Sequence, residues 1–268
     1  MKLVRPYFLA AAAFFLATPA FAQTQTLQTQ WRQSETPHFK FFYEGRALPS
    51  GLSIGFERLH GKLRLHLGLL APWIGKEKIN VYLYQTEASY KAGEFKPPSW
   101  SKGVSRYQTR TVVLYEDKDQ EVFFQTAVHE MTHLLFTGFF REKNSDAPRW
   151  LEEGIAMLME DLAGADEKNA PWLSYMKRKN SWTPQALGAF MGSEPKESAS
   201  SKEAGDWYVQ AYSIGRFLFN RGKLPFKVFC DKLRSGESET KAFWSAYRYK
   251  DAQALQTAWL DWLKQQQK

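Results

Sequence analysis

The chain has 268 residues, 44% of them hydrophobic and 16% aromatic, which is material enough for one well-filled core. A single cysteine excludes any intramolecular disulfide, so stability must come from that core. The formal charge of +8 is moderate, and its densest cluster, Lys177-Arg178-Lys179, lacks the interleaved stacking aromatics that nucleic acid requires, so no nucleic-acid partner is expected.

Residues 1–22 read as a secretory signal peptide: Lys2 and Arg5, an apolar run from Tyr7 to Ala17, then Ala20-Phe21-Ala22. The run is shorter than the roughly 20 residues of a membrane span, and Pro19 interrupts it. Export with cleavage after Ala22 is expected, leaving no transmembrane anchor in the mature form, and no cysteine stands directly after the apolar run for lipid attachment there. Residues 23–33, rich in Gln and Thr, read as a flexible lead-in.

Order is expected from His38-Phe39-Lys40-Phe41-Phe42-Tyr43, a strand by its aromatic content, with His38 an edge residue. Leu52, Phe56, Leu59, Leu63, Leu67 and Leu70 recur at three or four residues and predict an amphipathic helix. His60 and His66 fall off that stripe and are expected to be exposed. Ile79 to Tyr84 is the next strand, followed by a short helix through Tyr90 that Thr86 can cap. Glu94 to Lys102, with Pro97-Pro98, is a loop. Val104–Tyr107 and Thr111–Tyr115 form two strands around a turn at Gln108–Arg110.

Asp117 or Asp119 can cap the next helix, which is expected to run to about Phe136 and to be buried, because Phe123, Phe124, Val128, Met131, Leu134 and Leu135 cover most of its surface. It carries His129-Glu130-Met131-Thr132-His133. Helical residues four apart have Cβ atoms about 5–6 Å apart, so two imidazoles can reach one metal ion at roughly 2.0–2.1 Å. Glu130, rotated by about 100° from His129, can stand beside that ion without binding it, where a general base belongs.

Catalytic zinc takes three protein ligands and leaves the fourth position to water. The other histidines, His38, His60 and His66, lie far upstream, whereas a second helix opening near Pro148 and closing around Gly164 offers Glu152 and Glu153. These two lie about 100° apart on a helix, so one of them faces inward, and spacing alone leaves the choice open. Glu160 shares the face of Glu153, placed either to orient a ligating histidine or to meet solvent.

The remainder is mostly helical. Thr183-Pro184 reads as a helix start, Ser193 to Ala204 as a polar loop, and Asp206 as the opening of a helix through Leu218. Cys230 sits in the amphipathic stretch Phe226–Leu233 as a small packed residue. Leu255, Ala258, Trp259, Trp262 and Leu263 form the packing stripe of a last helix, Asp251 to Lys264.

His129-Glu130-Met131-Thr132-His133, followed by Pro148-Arg149-Trp150-Leu151-Glu152-Glu153-Gly154-Ile155-Ala156, resembles the gluzincin branch of zinc metallopeptidases, the peptidase MA-like proteins. In that pattern the glutamate directly before the glycine is the third ligand, which implies Glu153. The metzincin pattern fails, since Phe136 and Phe139 stand where its glycine and third histidine belong. The resemblance implies that one of the two strands before the metal helix edges the cleft and takes an extended peptide or protein substrate as an added strand. Gly103-Val104-Ser105-Arg106-Tyr107 is unlike the Gly-x-Met-Glu-Asn signature of the aminopeptidases, which favours cleavage inside a chain. Trp207 to Leu218 resembles the Tyr-x-Gln-Ser helix of some bacterial gluzincin-like envelope proteins, departing at Ala211, and so offers Tyr208 as a donor to a developing oxyanion, with Tyr212 in reserve.

The fold implied is α+β and zincin-like. It forms one catalytic domain over residues 34–268, with a β-rich lobe of mostly antiparallel or mixed sheet at 34–116 and a helical lobe at 117–268, the metal helix lying at their junction. The function implied is that of a monomeric, periplasmic or secreted bacterial endopeptidase that binds Zn2+ through His129, His133 and Glu153 and uses Glu130 as its base. The reading from another class is a zinc-bearing envelope binding or assembly module without turnover.

Overall fold

The computed structural model describes residues 30–164, 170–195 and 199–267, so the stretch expected to be a signal peptide, 1–22, and residues 23–29 of the expected lead-in lie outside the described residues. Strands β1 (Arg32–Glu35), β2 (Phe39–Tyr43), β3 (Ile79–Tyr84), β4 (Gly103–Arg106) and β5 (Thr111–Tyr115) form one sheet in the order β1-β2-β3-β5-β4. The inner pairs β2/β3 and β3/β5 are parallel, and the outer pairs β1/β2 and β4/β5 are antiparallel. The sheet is therefore mixed. A parallel pair needs a crossover, and helix α1 (Leu52–Leu67) supplies the one between β2 and β3.

α1 buries Leu52, Phe56, Leu59, Leu63 and Leu67, the stripe expected of it, and Leu70 is buried just past its end. His60 departs from expectation. It is 1% exposed, stacked on His38 with ring centroids 3.8 Å apart, and its Nε2 lies 2.8 Å from the Ile74 carbonyl oxygen. A 3-10 turn at Pro72–Gly75 folds back over the helix and covers the face that α1 alone would expose. His66 is half-buried beside Phe219 rather than exposed.

β1 begins inside the stretch read as a lead-in. It shows no apolar alternation because it is mostly exposed on both faces, and backbone pairing with β2 holds it. The short helix α2 (Glu87–Ala92) is capped as expected by Thr86, whose side chain exchanges bonds with Ser89.

α3 (Gln120–Arg141) starts at Asp119, whose carboxylate accepts the N–H groups of Glu121 and Val122. It runs past the expected end at Phe136 because Phe139 and Phe140 are also buried. α4 (Arg149–Ala163), α5 (Pro171–Lys177) and α6 (Leu187–Phe190) follow. Thr183-Pro184 does not open a helix. The Gln185 N–H donates to Gln210 Oε1 at 2.7 Å and the Leu187 N–H to Gln256 Oε1 at 2.9 Å, so side chains satisfy this stretch until α6 begins.

α7 (Ser201–Phe219) starts earlier than the Asp206 expected, because Ser200 and Glu203 form a capping box. α8 (Lys223–Arg234), α9 (Glu239–Tyr247) and α10 (Ala252–Gln266) complete the helical part. Cys230 is fully buried in α8, and burial pushes its thiol well above the ordinary range, consistent with a packing role. One continuous core joins the sheet, α1, α3, α4 and α7, placing α3 between the sheet and the C-terminal helices. No helix among the described residues is long and apolar enough to cross a membrane.

Candidate metal centre

α3 and α4 bring His129, His133 and Glu153 to one point. The two imidazoles lie one helical turn apart with their rings at 76°, and their Nε2 atoms approach to 3.0 Å. Glu153, 4% exposed, completes the triangle: its Oε2 is 3.7 Å from His129 Nε2 and its Oε1 is 3.6 Å from His133 Nε2. Ligands at 2.0–2.2 Å from a tetrahedral ion stand roughly 3.3–3.6 Å from one another, so these donors have the spacing of one face of such a site. Two imidazoles and a carboxylate are also a donor set that suits zinc.

The outer nitrogen of His129 is held by a carboxylate. His129 Nδ1 lies 2.5 Å from Glu160 Oε1, while Glu160 Oε2 accepts the Trp172 indole N–H at 3.0 Å. With the Nδ1 hydrogen directed at Glu160, the Nε2 of neutral His129 presents its lone pair inward. Of the two orientations open to Glu160 in the sequence, the structure takes the one facing the histidine. Burial pushes the His129 imidazole down, but the bond and charge of Glu160, with the charges of Glu130 and Glu153, raise it on balance to about 9. A pocket with that sign is arranged to hold positive charge.

Glu152 does not share the point of convergence. Its Oε1 accepts the Thr137 hydroxyl and lies 3.4 Å from His133 Nδ1, near enough to act on that imidazole through its charge but without a hydrogen bond to it. Burial pushes this carboxyl up, and His133, Thr137 and Arg149 together bring it down to about 2. Arg149, not singled out in the sequence, reaches one turn forward along α4 to place Nη2 2.8 Å from Glu153 Oε1. Its i,i+4 spacing from Glu153 was the signal available. Trp172 had none, because its partner Glu160 lies on a different helix.

These groups line a cleft of about 670 Å³ together with Glu130, Tyr208 and residues of β4. Backbone approach is close there. A Cβ added to Gly103 would stand 2.8 Å from Glu130 Cγ, so only glycine lets the outer strand pass so near that carboxylate. Tyr208 is half-buried in the cleft wall, and burial followed by the charge of Glu153 raises its phenol, with Arg149 opposing, which keeps the hydroxyl proton in place as a donor. Tyr212 is fully buried away from the cleft. It donates to Asp161 Oδ2 at 2.7 Å and accepts from Arg216 Nη1 at 2.9 Å, so the reserve candidate is occupied in packing.

No curated protein matches the sequence. A family model described as the Peptidase MA superfamily matches residues 67–265, a span that contains α3, α4 and every residue of the cluster just described. The chain belongs to the Peptidase MA superfamily.

Proposed function

We propose that the protein is a zinc-dependent endopeptidase of the cell envelope. The observation that carries this reading is the convergence of His129, His133 and Glu153 with Glu130 beside them, in a cleft edged by β4. A zinc ion held there would activate water and polarise a scissile carbonyl. Glu130 accepts the proton of the attacking water and delivers it to the leaving amine. The Tyr208 phenol donates to the oxygen that becomes negative as the carbonyl is attacked. Glu160 holds the His129 imidazole in orientation, and the Glu152 carboxylate faces that of His133. β4, with one edge paired to β5 and the other at the end of the sheet, offers backbone groups to an extended peptide. The absence of any carboxylate in Gly103–Arg106 to hold a free amine supports cleavage within a chain. The leader-like pattern of residues 1–22 supports export to the periplasm or beyond it, and the protein is proposed to act as a monomer.

Digestion of casein tests the reading. The wild-type protein should cleave it, a zinc chelator should stop cleavage, and Glu130→Gln should keep the metal while losing about 10²–10⁴-fold in rate. Metal bound at full stoichiometry with no cleavage of any unstructured protein would favour the non-catalytic binding module instead.

A further inference from the structure

Trp100 is 79% exposed, the most exposed large hydrophobic side chain among the described residues, and it lines the same cleft as His129, Glu130, His133 and Glu153. An indole left in water at the rim of a cleft is a binding surface in search of apolar area. Its backbone is well held. Lys91 Nζ donates to the Pro98 carbonyl at 3.0 Å and to that of Ser101, the Ser101 N–H donates to the Pro98 carbonyl at 3.1 Å, and the Tyr90 hydroxyl pairs with Ser101 Oγ at 2.9 Å. Pro97-Pro98 narrows the freedom of the approach further. The side chain is thus presented from a fixed turn that leads directly into β4.

We propose that Trp100 forms a recognition subsite for one large apolar side chain of the substrate peptide, an inference that rests on the peptidase reading above. A peptide laid along β4 sends alternate side chains to the same side, so a residue near the Gly103 end of the strand comes within reach of the indole. The indole face could also attract a cation. Lys102, exposed and lining the cleft beside Trp100, opposes that, so the favoured side chain is Phe, Leu or Met rather than Lys or Arg. Because Trp100 packs into no core cluster, its removal leaves the metal centre and the fold intact.

The test uses full-length mature protein and a set of short peptides in which each position in turn carries Phe, Ala or Lys. Binding is measured by calorimetry on the zinc-loaded Glu130→Gln variant, and hydrolysis on the wild type. One position should prefer Phe over Ala and Lys, Trp100→Ala should reduce that preference about tenfold, and Trp100→Phe should keep most of it, with zinc content equal in all variants. A preference that survives Trp100→Ala, or no side-chain preference at any position including a failure of the peptides to bind, overturns the subsite. Trp100-dependent binding without wild-type hydrolysis would sustain the subsite and sink the proposed activity; hydrolysis with selectivity indifferent to Trp100→Ala would do the reverse.

Discussion

A Cβ added to Gly154 would lie 2.3 Å from the carbonyl oxygen of Ala211 and 2.7 Å from its carbonyl carbon, so α4 and α7 meet backbone against backbone. Gly215 makes the contact mutual, since its own added Cβ would be 3.2 Å from the Gly154 carbonyl carbon. Glu153 is the neighbour of Gly154, and Tyr208 lies a turn before Ala211. The depth at which these two helices dock therefore sets where the phenol stands relative to the carboxylate. The glycine of the Glu-Gly-x-Ala pattern thus has a packing cause, because backbone atoms cannot swing aside as a side chain can.

Gly154→Ala should push the helices apart. Overpacking of this kind costs about 1–3 kcal/mol, which for a chain of this size lowers Tm by roughly 2–4 °C per kcal/mol. Thermal unfolding followed by circular dichroism checks it. A wild-type Tm in this variant would show that the interface yields without strain.

Glu160→Gln should weaken zinc binding about 10–100-fold without unfolding the protein. The amide oxygen can still accept the Trp172 indole N–H, while the negative charge facing His129 Nδ1 is lost. Competition against a chromophoric chelator reads the affinity. An unchanged constant would mean that Glu160 does not act on the metal through His129.

His60 predicts a pH effect on stability. Burial is the largest influence and lowers its pKa below the ordinary 6.5, aided by His38 and Arg64 and opposed by the Ile74 bond and the charge of Glu57. A base with a lowered folded pKa takes up its proton first in the unfolded chain. Its contribution is therefore complete above pH 6.5 and is lost as pH falls below it. His60→Gln, which can still donate to the Ile74 carbonyl, should show a smaller drop in Tm than wild type between pH 7.5 and pH 5.5. Equal drops would place the acid sensitivity elsewhere.

The parts of this structure that could be read from the sequence are those with a local cause. α1 and α10 follow from apolar spacing, Thr86 marks the start of its helix by its own chemistry, and Asp119 is one of the two caps that the sequence offers for α3. The His129/His133 pair is likewise local, because a helix fixes what lies four residues away. What escaped depends on contacts distant in sequence. β1 is specified by its partner strand and not by a pattern of its own. His60 is buried by a turn that begins beyond the end of its helix. The start of α6 is displaced by Gln210 and Gln256, which reach it from α7 and α10. Glu152 could be seen only as a rival to Glu153, because its work on His133 and Thr137 requires knowing how α3 faces α4.

Anomalous diffraction at the zinc edge, from crystals grown with the metal, tests the central claim most directly. A single strong peak should lie about 2.0–2.2 Å from Nε2 of His129, Nε2 of His133 and a carboxylate oxygen of Glu153. A peak elsewhere, or Glu153 held only by the Arg149 guanidinium with the ion out of its reach, would contradict the account.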